Sequence, residues 1–253
     1  MRPALSRSMA ALLVTLMAAA FPAATKTQQQ KPTSPAVGPG VGPIQLDGSP
    51  ASVMFRFERP GLPVPLYQLQ IWENGAGQYR GEEMPRTVGP ADTAPSPQPF
   101  ALKSFHVSPA TAAKVLAIAR VLNHFNFDCA SKARNVADTG YKNLAYTVAN
   151  GGVIGSCEYN YTENKDVQTL TDILEGIAET MDEGRKLDYL HRYDRLGLDA
   201  ELESFSREVA EGRALELGTI APTLRSIADD PDVMQRVRTR ASALLTLVPA
   251  QAR

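Results

Sequence analysis

The sequence predicts an α+β fold: a small, mainly antiparallel sheet with one helix, followed by an all-helical C-terminal part. Three observations carry this. Runs of period-two alternation occur only before Tyr161. Two of these runs are joined to partners by Asn-Gly turns, the pattern of hairpins. After Tyr161 the apolar spacing changes to that of amphipathic helices.

The elements follow in order. Val53, Phe55 and Phe57 alternate with Met54, Arg56 and Glu58 and predict a strand over Ser52 to Glu58. Pro60, Pro63 and Pro65 break the chain. Tyr67, Leu69 and Ile71 predict a second strand, Asn74-Gly75 a turn, and Gln78 to Gly81 its returning partner. Five prolines between Pro85 and Pro99 mark a loop, and Phe100, Leu102 and Phe105 suggest another strand. Ser108-Pro109 is a helix start, with Ser as N-cap and Pro at the first helical position. That helix should end near His124 or Phe125, where a protonated His124 would favour the negative end of the helix dipole. Leu144, Tyr146 and Val148, a turn at Asn150-Gly151-Gly152, and Cys157, Tyr159 and Tyr161 form the clearest hairpin.

Beyond it, Val167, Leu170, Ile173, Leu174, Ile177 and Met181 make one helical stripe, and Gly197 ends that helix. Asp199 is placed to cap the next helix, whose buried face is Leu202, Phe205 and Val209 and whose stop is Gly212. Two last helices are expected over Ala214 to Ala228 and Val233 to Leu247, with Asp230 as the N-cap between them and Pro231 at the first helical position. The sequence therefore divides into residues 1–24, 25–50, an α+β unit over 51–162 and a helical region over 163–253. The expectation is one continuous core with a helical extension.

Residues 1–24 have the form of a secretory signal peptide. Arg2 and Arg7 precede an apolar run from Met9 to Ala20, and small residues follow at Ala18-Ala19-Ala20 and Ala23-Ala24. Cleavage could fall after Ala20 or after Ala24. The run is too short for a bilayer-spanning helix, which needs roughly 20 apolar residues. A Pro/Gln/Gly-rich spacer over 25–50 has little to bury and is expected to be disordered. The protein is thus expected in the periplasm or outside the cell, and not in a membrane after cleavage. With 26 basic and 27 acidic residues there is no basic excess for nucleic acid. Cys129 and Cys157 are the two cysteines. In an exported chain they predict one disulfide, which the chain-entropy relation values at about 3.6 kcal/mol.

Two stretches carry resemblances. Pro222, Leu224, Ile227, Asp230-Pro231-Asp232, Val233, Val237-Arg238, Ala241 and Leu244 resemble a single HEAT-type hairpin, which implies a surface for binding proteins. Tyr67-x-Leu69-x-Ile71, Asn74-Gly75 and Tyr79-x-Gly81 are similar to short exported bacterial domains of unknown function that pair a hairpin with a helix. That likeness implies no activity.

Candidate chemistry is sparse. Asp188, His191 and Asp194 lie one helical turn apart, spacing that suits a metal or acid–base role or a charged, partly solvated helix face. Tyr146, Tyr159 and Tyr161 could form an aromatic binding face or pack against the helices. Glu175, Glu179 and Glu183 read as a solvated acidic stripe, because no Gly-centred carboxylate loop accompanies them. Ser156 lacks the G-x-S-x-G setting of a nucleophile. No catalytic set, resident metal or cofactor is indicated. The leading reading is a non-catalytic binding or scaffold module of the cell envelope whose partner is an envelope protein. An unrecognised enzyme around Asp188, His191 and Asp194, or a small-ligand binder, are the alternatives.

Overall fold

The structure, a computed structural model, describes residues 50–85, 96–148 and 152–248. The stretches expected to be a signal peptide and, but for Pro50, a spacer, and the expected Asn150-Gly151 turn, lie outside them. The described residues form an antiparallel sheet and five α-helices, an α+β fold as the sequence predicts. The strands are β1 (Ser52–Glu58), β2 (Leu66–Trp72), β3 (Ala76–Glu83), β4 (Gln98–Pro99), β5 (Lys103–His106), β6 (Tyr141–Thr147) and β7 (Val153–Tyr159). Their order is β4-β3-β2-β1-β6-β7, and β5 also pairs with β3. The helices are α1 (Pro109–Val121), α2 (Lys165–Tyr193), α3 (Leu198–Ala210), α4 (Ala221–Asp229) and α5 (Gln235–Thr246).

The period-two pattern sets the faces of the sheet. Val53, Phe55, Phe57, Leu69, Ile71, Tyr79 and Leu144 are buried against Val115, Leu116 and Ala119 of α1 and Leu170, Leu174 and Ile177 of α2. The alternate residues carry a polar ladder: Ser52 bonds Thr147 at 2.6 Å, Gln70 donates to Ser52 at 2.8 Å, and Arg80 donates to Gln68 at 2.8 Å. The Asn74-Gly75 turn forms as expected, with Gly75 at φ +83°. The single strand anticipated around Phe100 to Phe105 is two short pieces, β4 and β5, both on β3.

Ser108 caps α1 through its hydroxyl, and Pro109 is at the first helical position. The end of α1 departs from expectation. Asn123, His124 and Phe125 form a left-handed turn with φ of 49°, 56° and 66°, so His124 does not sit on a regular helix terminus. Left-handed backbone costs L-residues roughly 1–2 kcal/mol each. Neighbouring packing holds the turn: Phe125 is fully buried, and the His124 ring meets Tyr146 edge-on at 4.6 Å. A Cβ at Gly155 would overlap the His124 carbonyl, so glycine is required on β7 there. The Cys129–Cys157 disulfide forms, with 5.7 Å between its Cα atoms, and ties the chain after this turn to β7.

A second apolar cluster holds Leu187, Leu198, Leu202, Phe205, Leu217, Ile220, Leu224, Ile227, Val237, Ala241 and Leu244. Helix α2 has 29 residues, about 43 Å at 1.5 Å each, and contributes to both clusters. The residues that resemble a HEAT hairpin form the α4–α5 pair, but its turn differs from the expected one. Asp230 closes α4 instead of opening α5, and Pro231 lies in the turn. The Asp230 carboxylate accepts from the Asp232 amide at 2.9 Å, a local turn bond that competes with capping. Gly197, not Asp199, precedes the first turn of α3.

The helical region is bound into the first half of the fold. Glu216, at φ +58°, accepts from the Ser108 amide at 2.8 Å and the Ser108 hydroxyl at 2.7 Å, and also contacts Thr111. A carboxylate thus sits on the N-terminus of α1, where helix amides lack intrahelical partners and the dipole favours negative charge.

Candidate ligand cavity between the β1–β2 loop and α2

Helix α2 presents two adjacent faces in its middle turns. On one, Gly176, Thr180 and Gly184 recur every fourth residue and admit the segment over 213–220 at close range. The Leu215 amide donates to the Gly176 carbonyl at 3.0 Å, and the Thr180 hydroxyl reaches the Leu215 carbonyl at 2.7 Å. A Cβ at Gly184 would overlap Ile220. The neighbouring face carries Glu175, Glu179, Asp182, Glu183 and Lys186. It looks toward the loop between β1 and β2, where Pro60, Pro63 and Pro65 interrupt the strands.

Between them lies a cavity of about 880 Å³, within the range of small-molecule sites. Its apolar lining is Phe57, Leu62, Pro63, Val64, Tyr67 and Ala178; Arg59, Glu83, Thr139, Lys142 and the α2 side chains supply the polar lining. Most of the charges are already matched. Arg185 bridges Asp182, at 2.8 Å, and Glu83, with its guanidinium 3.7 Å above the centre of the Phe100 ring. Lys142, 6% exposed, donates to the Thr139 carbonyl at 3.1 Å and the Asn160 carbonyl at 3.3 Å, and lies 3.9 Å from Glu175. Burial lowers the Lys142 pKa, and Glu175 opposes the shift. Lys186 is committed to Glu201 of α3.

Glu183 is different. It is 8% exposed and lines the cavity, and its buried Oε1 meets no hydrogen-bond donor. The charge of Glu201 on α3 opposes ionisation of Glu183. Burial first, and the Glu201 charge second, push the Glu183 carboxyl up to about 8. Burial likewise raises Asp182 to about 6, against the opposing pull of Tyr79 and Arg185. Glu175 and Glu179 are raised as well, again chiefly by desolvation. Perturbed carboxyls gathered in a cleft mark a functional-site candidate. Of the acidic stripe only Glu183 is buried; Glu175 is half-buried and Glu179 is exposed, so the expected solvated face holds except at Glu183.

The residues singled out in the sequence fall elsewhere. His191 and Asp188 share α2 but have separate partners: His191 Nε2 lies 2.8 Å from Asp230, and Asp188 is 3.9 Å from Lys103. Asp194 terminates α2 and accepts from the Gly197 amide at 3.2 Å. Arg195 lies 3.3 Å from Asp230. The arrangement is an interhelical clasp between the end of α2 and the α4–α5 turn. Among the described residues no group of three or more His, Cys, Asp or Glu is arranged to hold a metal ion, and no helix is long and apolar enough to cross a membrane. Tyr146, Tyr159 and Tyr161 do not share an open face. Tyr146 and Tyr159 are buried in the core, Tyr159 bonded to Thr171 at 2.5 Å, and Tyr161 is exposed.

The cavity was missed because its buried acid looks like a surface glutamate. The available signal was the stripe of Gly176, Thr180 and Gly184 one position along from the Glu stripe. Small residues every fourth position announce close packing on that side, and close packing buries what lies beside it. Comparison with protein-family models, with curated proteins and with solved structures finds no match for this chain.

Proposed function

We propose that this chain is an exported, non-catalytic binding protein of the cell envelope, and that it binds a small ligand in the cavity between the β1–β2 loop and α2. The signal-peptide pattern of residues 1–24 supports export, and the Cys129–Cys157 bridge suits an oxidising compartment. The observation that carries the binding reading is the cavity itself, about 880 Å³, in which the apolar side chains Phe57, Leu62, Val64 and Tyr67 share the lining with the charged side chains of α2. A cavity with an apolar floor and a few fixed polar groups is the usual form of a ligand site. The binding surface on this reading is the cavity, not the α4–α5 pair or a tyrosine face.

The test is a thermal-shift screen of the purified protein against small amines, alcohols and carboxylic acids, repeated on Leu62→Trp. Leu62 is half-buried on the cavity-lining loop, so an indole there fills space without entering the main core. The expected result is at least one compound that raises the melting temperature of the native protein and not of Leu62→Trp. Equal shifts in both proteins, or none, would count against the cavity.

A further inference from the structure

The two faces of the sheet are covered differently. Helices α1 and α2 pack on one, against Val53, Phe55, Leu69, Ile71 and Leu144. Trp72, the only tryptophan of the chain, pairs with Ser52 and points to the other face. Trp72 and Ala145 are the buried apolar residues, among those described, that belong to neither apolar cluster. Yet Trp72 is 3% exposed. Cross-strand neighbours shield the edges of an indole on a sheet, but its upper surface stays open unless something lies across it. Burial on this face is graded, and the gradient locates the cover. Where β1 begins, Ser52, Gln70, Ala145 and Thr147 are buried beside Trp72. Toward the other end of these strands, Met54, Arg56, Glu58 and Asn143 are half-buried. Gln68, also buried there, is enclosed by its own partners Met54 and Arg80.

The chain enters β1 at the covered end. The Ala51 carbonyl accepts from the Glu73 amide at 2.9 Å, so the residues before Ala51 leave the sheet beside Trp72. Their sequence is Pro43-Ile44-Gln45-Leu46-Asp47-Gly48-Ser49. Ile44 and Leu46 are the only isoleucine and leucine between residues 25 and 52, and they alternate with Gln45 and Asp47. Gly48-Ser49-Pro50 is a turn signal directly after them.

We propose that residues 43–49 fold back at Gly48-Ser49-Pro50 and dock on this second face of the sheet, with Ile44 and Leu46 covering Trp72. Seven extended residues reach roughly 23 Å and neighbouring strands lie roughly 5 Å apart, so the segment has length to spare for the reversal. The other segments outside the described residues fit less well. Residues 86–95 follow Pro85, which lines the cavity, and 149–151 carry no large apolar side chain. Residues 249–253 follow Val248 of the second cluster. The spacer proper is then 25–42, and its attachment to the domain is the sheet face. This docking is independent of the cavity.

Trp72 itself reports the result, because no other tryptophan contributes to the fluorescence. The experiment compares emission and acrylamide quenching of the full chain with those of the double variant Ile44→Asp, Leu46→Asp and of Gln45→Asp. The double variant is expected to shift the emission to longer wavelength and to raise quenching at every protein concentration, with unchanged far-ultraviolet circular dichroism. Gln45→Asp, on the alternate phase, is expected to match the native protein. Equal emission and quenching in the native protein and the double variant would overturn the proposal. So would native shielding that is lost on dilution, which would make a second copy the cover. Nuclear Overhauser contacts in the native protein decide the matter even if the double variant does not fold. Contacts between the indole protons and the Ile44 or Leu46 methyls are expected, and their absence would overturn the docking.

Discussion

Helix α2 carries two groups of ionisable side chains, one in its middle turns and one at its C-terminal end, and they differ in how their charge is met. At its C-terminal end, Asp188, His191 and Asp194 each find a partner: Lys103, Asp230 and the Gly197 amide. These groups are near the surface and fasten α2 to other elements. In the middle, Glu183 is more deeply buried, faces another acid and has an oxygen without a donor. The first group has the residue types usually associated with chemistry, yet its interactions are structural. The second has only glutamates and an aspartate, and it lines the cavity. Residue type is therefore a poorer guide to a site here than whether each buried charge has been answered.

The contrast is sharpened first by pH. The folded-state pKa of Glu183 is raised, so the native protein holds this proton where the unfolded chain has lost it. Stability is full below about pH 4.5, the unfolded value, and falls as pH rises toward about 8. The slope from one such group reaches up to about 1.4 kcal/mol per pH unit. Asp182, raised to about 6, adds to the fall in the lower part of that window. Urea unfolding across this range should show the decline in the native protein and a flatter profile in Glu183→Gln, which becomes the more stable of the two near pH 8. Parallel profiles would mean that Glu183 titrates normally.

Next in size is Gly184→Leu, which places a side chain where Ile220 now packs. Overpacking of this kind costs about 1–3 kcal/mol. Its expected second effect is to lift the segment that packs beside Glu183, so the pH-dependent decline should shrink in the same variant. Glu216→Ala removes the acceptor at the start of α1, and loss of a cap costs about 0.5–2 kcal/mol. Chemical denaturation reads both. The smallest effect is expected from His191→Ala, a slight loss of melting temperature with no change in the thermal shift that a cavity-binding compound gives. A loss of binding in that variant would move the site toward the end of the helix and break the comparison.

Much of the fold was legible because its signals are local. Val53, Phe55 and Phe57 alternate, Asn74-Gly75 turns, and Val167 to Met181 repeats at helical spacing; each pattern states which face is buried. The disulfide was legible from export and an even cysteine count. The failures are instructive for the same reason. The left-handed turn at Asn123-His124-Phe125 contains two residue types that tolerate such backbone, but three consecutive positive φ values are not signalled locally, and the turn persists because Gly155 and Phe125 pack around it. Asp230-Pro231 reads as a helix start, but the Asp232 amide takes the carboxylate for a local turn. Glu216 looked like one more acid, and only the fold brings it 2.8 Å from the Ser108 amide, 108 residues away in sequence. Glu183 belongs with Glu216: the fold brings Glu201 of α3 to it, which cannot be inferred from the i, i+4 stripe to which it belongs.

The most direct measurement is a pH titration of the glutamate and aspartate side-chain carboxyl carbons by nuclear magnetic resonance, with Glu183→Gln used to assign one signal. The account predicts that Glu183 titrates near 8, far above an ordinary glutamate. A Glu183 midpoint in the ordinary range near 4.5 would show that the charge is already answered within the protein and would contradict the account.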